Sequence, residues 1–127
     1  MIVCKRFSFE AAHKLPHHRG KCKRKHGHSY KVVVCIAGDV QEEHHKNPES
    51  GMVKDFSFLN GIMSDYLRNY FDHHTLNAII ENPTAERVVE WFVSGLQTKM
   101  PAGIRLARIQ VWETEDSFAE WNNIHAI

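Results

Sequence analysis

The chain reads as an α+β protein, because two strand-like segments open it, two helical patterns occupy its middle and two more strand-like segments close it. Strands and helices segregated in this order predict a four-stranded antiparallel sheet covered on one face by the helix pair. The 127 residues suit a single domain over 1–127. The 43% apolar and 24% charged content is that of a folded globular chain.

Val3, Lys5, Phe7 and Phe9 alternate with Cys4, Arg6, Ser8 and Glu10, a period of two that predicts a first strand. A second runs from Ser29 to Ala37 through a β-branched stretch and ends at the turn signal Gly38-Asp39. The polar residues 39–51 read as a loop or hairpin tip. Asp55 is placed to cap a helix whose apolar positions Phe56, Leu59, Ile62, Met63, Tyr66, Leu67 and Tyr70 follow helical spacing, with a stop near Phe71. A second helix starts at Pro83-Thr84, carries Val88, Val89, Phe92, Val93 and Leu96, and closes before Met100-Pro101. Two strands follow, Arg105 to Glu113 and roughly Phe118 to Ile124.

Several function classes are excluded at this level. A net charge of +1 with neutral histidines argues against a general nucleic-acid binder. No apolar run approaches a membrane span, and Met1 to Glu10 lacks the apolar core of an export signal, so no membrane partner and a cytoplasmic location are expected. The three cysteines, Cys4, Cys22 and Cys35, are an odd number without an export signal, and each is expected as a free thiol. Charge is nevertheless uneven. Between Ala11 and Gly38 there is no acid, while Lys14, Arg19, Lys21, Lys23, Arg24, Lys25 and Lys31 all fall there.

That same stretch holds the candidate metal ligands. His26 and His28 are two residues apart at the start of a strand, so their imidazoles point to one face. His13, just past the first strand, meets them if the two strands pair. Three neutral imidazoles leave a tetrahedral zinc one open position, the arrangement of catalytic sites. Spacing alone leaves open a second reading, in which these are solvated histidines among lysines. His17, His18, His44 and His45 compete as ligands, but they sit in polar surroundings that read as solvated loop.

Cys22 lies four residues before His26 among cations that favour a thiolate, which suits it to act as base or nucleophile. Its other reading is a fourth, structural ligand, although one cysteine ahead of His-x-His is poor spacing for a structural finger. Asp72-His73-His74 sets an acid beside imidazoles that can move protons, or else is a turn with surface histidines. Glu113 is predicted to end the third strand on the face of Ile109 and Val111. There a carboxylate would either pair with two adjacent N–H groups of a heterocycle or reach water.

Phe9-Glu10-Ala11-Ala12-His13, Cys22-Lys23-Arg24-Lys25-His26-Gly27-His28, Asp72-His73-His74-x-Leu76-Asn77, Asn82-Pro83-Thr84-x-Glu86 and Glu113-Thr114 together resemble the 6-pyruvoyltetrahydropterin synthase family. They are most similar to its bacterial 6-carboxytetrahydropterin synthase branch, which shares the three residues between the cysteine and His-Gly-His. The resemblance implies zinc (Zn2+) on His13, His26 and His28, Cys22 as proton-abstracting base, Asp72 and His73 as its relay, and Glu113 as anchor of a pterin ring. Thr84 and Glu86 would line the pocket wall. It also implies the tunnelling fold, in which subunit sheets join into a barrel, here a homohexamer of two trimers. The implied reaction takes 7,8-dihydroneopterin triphosphate to 6-carboxy-5,6,7,8-tetrahydropterin, with release of triphosphate and acetaldehyde, on the route to queuosine. A pyruvoyl or folate-branch product, and a metal-binding module without activity, are the other readings.

Overall fold

The computed structural model describes residues 1–125. Its strands are β1 (Ile2–His13), β2 (His26–Ala37), β3 (His74–Thr75), β4 (Arg105–Trp112) and β5 (Phe118–Asn122), and its helices are α1 (Phe56–Tyr66) and α2 (Ala85–Gln97). They form one sheet in the order β3-β1-β2-β4-β5. The fold class is the predicted α+β, with one strand more than expected. That strand, β3, is only two residues long and pairs parallel with Ala11 and Ala12 of β1, so the sheet is not purely antiparallel. Too short to show any period, it leaves no signature in the sequence.

β1 and β2 are both longer than predicted and pair along their whole lengths, from Ile2 opposite Ala37 to His13 opposite His26. Alternation puts Phe9, Ala11, Tyr30, Val32, Val34 and Ile36 on one face. There they pack with Leu59 and Met63 of α1 and with Val88, Val89, Phe92 and Leu96 of α2 in a single buried cluster. Both helices therefore cover the same face, as their apolar stripes predict. Asp55 caps α1 by accepting from the Ser57 amide, and Thr84 caps α2 by accepting from the Arg87 amide. After α1 the chain continues through a five-residue π turn that buries Phe71, the residue where the helical pattern ends.

β2 stops at Gly38, where a Cβ would come within 2.9 Å of the Gly103 carbonyl oxygen, so only glycine admits that close approach. β5 ends at Asn122, two residues short of the predicted end. Asn123 instead donates to the Ala107 carbonyl, and the Arg105 guanidinium binds the Asn123 and Ile124 carbonyls.

The cysteine expectation is corrected by the register. Cys4 stands directly opposite Cys35, and the two form a disulfide, leaving Cys22 as the free thiol. Thirty-one residues separate the pair in sequence, so only the pairing of β1 with β2 brings them together. No helix among the described residues is long and apolar enough to cross a membrane.

Candidate functional site

The last rungs of the β1–β2 ladder build the site. His13 faces His26 and Ala11 faces His28, so alternation sends all three imidazoles to the helix-covered face, at the end where the core gives way to solvent. His13 is 1% exposed, while His26 and His28 are half-buried. One ring nitrogen from each lies within 4.8 Å of the other two. Nδ1 of His13 donates to the Pro83 carbonyl at 2.8 Å, and Nδ1 of His26 donates to the Arg24 carbonyl at 2.7 Å. A carbonyl only accepts, so both protons sit on Nδ1 and both Nε2 atoms offer lone pairs. Those two lone pairs face each other across 3.0 Å.

Such an arrangement is repulsive until a cation shares both lone pairs, and it fits a divalent metal with nitrogen ligands. Burial pushes the His13 and His28 imidazoles below the ordinary histidine range, which favours the neutral, ligating form. For His13 the Pro83 carbonyl and the Glu113 charge pull the other way, and burial outweighs them. Among the described residues this is the one group of three or more histidine, cysteine or acidic side chains close enough to hold an ion, and it contains no cysteine. The set is therefore an open three-nitrogen one, without the fourth, structural ligand that Cys22 would supply. His17, His18, His44 and His45 are exposed and lie outside it.

Cys22 occupies a short 3-10 turn over Lys21–Lys23, in the loop that joins His13 to His26. The Leu15 amide donates to the Cys22 carbonyl at 2.9 Å and closes that loop on itself. The thiol is half-buried. Asp72 and His73 follow the π turn at the outer edge of β1. Asp72 accepts from the Glu10 amide at 3.0 Å, and His73, at φ 60°, donates its amide to the Glu10 carbonyl at 2.6 Å. Their side chains are paired, with His73 Nε2 3.7 Å from Asp72 Oδ2. The His73 side chain is 79% exposed, and among the described residues no hydrogen bond joins it to Cys22.

Glu113 lies one residue beyond β4, not within it, and is half-buried. Its charge acts on His13, His28 and Tyr30, so the carboxylate lies near the histidine cluster. Glu113 lines a cleft of about 500 Å³ together with Leu15, Thr84, Glu86 and Phe118. Three predicted wall and anchor residues thus share one cleft. A cavity of similar size, about 510 Å³, lies on the opposite sheet face between Arg6, Lys31, Gln110 and Trp112, and the three histidines line neither of the two.

The sequence reading missed the groups behind the ligands: the Pro83 and Arg24 carbonyls and the Tyr30 ring. Backbone carbonyls carry no residue-type signal. Tyr30 does carry one, since it lies two residues past His28 on the same face of β2.

A family model described as 6-pyruvoyl tetrahydropterin synthase matches residues 2–123. The chain is 40% identical over 122 residues to the 6-carboxy-5,6,7,8-tetrahydropterin synthase of Synechocystis sp., covering 94% of this chain and 92% of that protein. It is 31% identical to the 6-carboxy-5,6,7,8-tetrahydropterin synthase of Haemophilus influenzae, covering 94% and 96% respectively. Among solved structures, the 6-pyruvoyl tetrahydropterin synthase of Caenorhabditis elegans superposes with a TM-score of 0.79 at 27% identity, covering 97% of this chain and 95% of that one.

Proposed function

The chain belongs to the 6-pyruvoyl tetrahydropterin synthase family, and from that premise we propose that it is a zinc-dependent 6-carboxy-5,6,7,8-tetrahydropterin synthase. The reaction takes 7,8-dihydroneopterin triphosphate and one water to the 6-carboxy product, releasing triphosphate and acetaldehyde, as a step toward queuosine. The observation that carries this reading is the open three-nitrogen cluster together with Glu113, whose charge acts on His13 and His28 and which lines a cleft with Thr84 and Glu86. A closed, four-ligand structural site has no use for either. The identities to carboxytetrahydropterin synthases, and the three residues between Cys22 and His26, favour this branch over pyruvoyl and folate-type products.

In this reading His13, His26 and His28 hold the ion. When bound, zinc supplies Lewis acidity to the side-chain oxygens of the substrate. Glu113 accepts two N–H groups from the guanidine-like edge of the pterin, as a carboxylate does from arginine, and so sets the ring's orientation. Thr84 and Glu86 form the adjoining wall. Cys22 takes a proton from the substrate side chain, and His73, paired with Asp72, holds and returns it. The exposure of His73 in a single chain supports a site completed between subunits. So do the two open strand edges, β1 over residues 2–10 and β5, to which the strands of neighbouring copies can add in a barrel-forming homohexamer.

Incubating zinc-loaded protein with dihydroneopterin triphosphate and weighing the product tests the branch. A carboxyl product is expected, and a pyruvoyl product would move the protein to the other branch. Cys22→Ala tests the role of the thiol. It should retain zinc and lose at least ~100-fold in turnover, the usual contribution of general acid–base catalysis. Loss of zinc in that variant would instead make Cys22 a ligand and favour a binding module.

A further inference from the structure

Each ligand imidazole needs something to hold its plane, and the three are held differently. His26 has the Arg24 carbonyl, and His13 has the Pro83 carbonyl. His28 makes no side-chain hydrogen bond among the described residues, yet its ring stands perpendicular to both neighbouring imidazoles, at interplanar angles of 85° and 86°. What packs against it is Tyr30, edge-on at 5.5 Å and 80°.

We propose that Tyr30 is a positioning residue for the metal centre, holding the His13 and His28 rings so that their free nitrogens converge on one ion. The inference rests on the three-histidine metal reading and extends it to a residue outside the ligand set. Tyr30 is 1% exposed, and a phenol hydroxyl buried that deeply needs a partner. Its partner is Nδ1 of His13, at 3.2 Å. Because the Pro83 carbonyl already places the hydrogen on Nδ1, the Tyr30 oxygen accepts from that same N–H. The His13 N–H is thus shared between an acceptor at the start of α2 and one on β2, which fixes both tautomer and ring plane.

The tyrosine is itself braced. Opposite it on β1, Phe9 stacks on its ring at 4.9 Å with planes 5° apart, and Phe9 in turn meets Phe71 edge-on at 5.3 Å. The hydrophobic core thereby reaches two of the three ligands through one side chain.

Tyr30→Phe removes the hydroxyl and keeps the ring, so the variant should fold. Zinc affinity measured by competition with a chromophoric chelator should fall about tenfold, the lower end of what outer-shell partners contribute. The visible absorption of the cobalt-substituted protein should shift as the His13 ring relaxes, while the melting temperature of the metal-free protein changes by only a few degrees. Wild-type zinc affinity and an unchanged cobalt spectrum in Tyr30→Phe would overturn the proposal. So would a lowered melting temperature with unchanged affinity, since that is simple packing. A wild-type protein that fails to bind zinc in the same assay would instead remove the metal reading, and this proposal with it.

Discussion

At the residue scale, the chemistry depends on where single protons sit. Two backbone carbonyls place hydrogens on the Nδ1 atoms of His13 and His26 and so clear both Nε2 atoms for a cation. Burial keeps His13 and His28 neutral by pushing their imidazoles below the ordinary range. The same shift makes the metal-free protein sensitive to acid. The unfolded chain takes up protons on these residues near pH ~6.5, while the folded chain resists until lower pH. Their contribution to stability is therefore complete above about pH 6.5 and is lost as pH falls below it toward the depressed folded value. With chelator present, the melting temperature should drop on going from about pH 7.5 to about pH 5.5, and replacing His28 with glutamine should flatten part of that slope. A wild-type profile flat over that range would contradict the assignment. Tyr30 belongs to the same environment: burial, reinforced by the Glu113 charge, raises its hydroxyl and keeps it protonated.

At the scale of elements, α2 serves both the core and the cleft. Its apolar stripe, Val88, Val89, Phe92 and Leu96, faces the sheet. Its N-terminus brings Pro83 to His13 and Thr84 and Glu86 to the cleft wall. The Thr84 side chain accepts from the Arg87 amide at 3.2 Å, which stops the helix from fraying into the site. Thr84→Ala should cost about 1 kcal/mol of stability and lower the melting temperature by several degrees. Because the Pro83 carbonyl immediately precedes the cap, zinc affinity should weaken in the same variant, and titrating both quantities checks the link. An unchanged melting temperature would show that the cap contributes nothing.

At the scale of the whole molecule, the β1–β2 hairpin is the frame. It encloses His13, Cys22, His26 and His28 and is closed at its far end by Cys4–Cys35. Over Ile2–Glu10, β1 has β2 as its only strand partner among the described residues, so the crosslink fastens an otherwise singly held edge. A closed loop of 31 residues restricts the unfolded chain enough to contribute roughly 3–4 kcal/mol. Thiol titration of the unfolded, unreduced protein should find Cys22 alone. Reduction, or Cys4→Ser, should lower the melting temperature by on the order of 10 °C. Three reactive thiols per chain before reduction would rule the crosslink out.

How much of this was legible beforehand follows from the range over which each feature is set. Periodicity and helix-start signals are local, so both helices, the Asp55 cap, the start at Pro83-Thr84 and the four longer strands are legible directly. The His26/His28 pair could be read as one face of a strand, and Asp72 with His73 as neighbours. Pairing is not local. That His13 meets His26 depends on the β1–β2 register, and the same register joins Cys4 to Cys35 against the expectation of free thiols. β3 leaves no trace in the sequence because two residues show no period, and Glu113, expected to end the strand β4, stands one residue beyond it. The sequence by itself determined the element types and the inventory of ligating side chains, since both follow from residue type and short-range spacing. Only the tertiary structure decided which lone pairs face each other, which carbonyls hold their protons and which ring braces the ligands, because those contacts join residues brought together by long-range pairing of strands and helix ends.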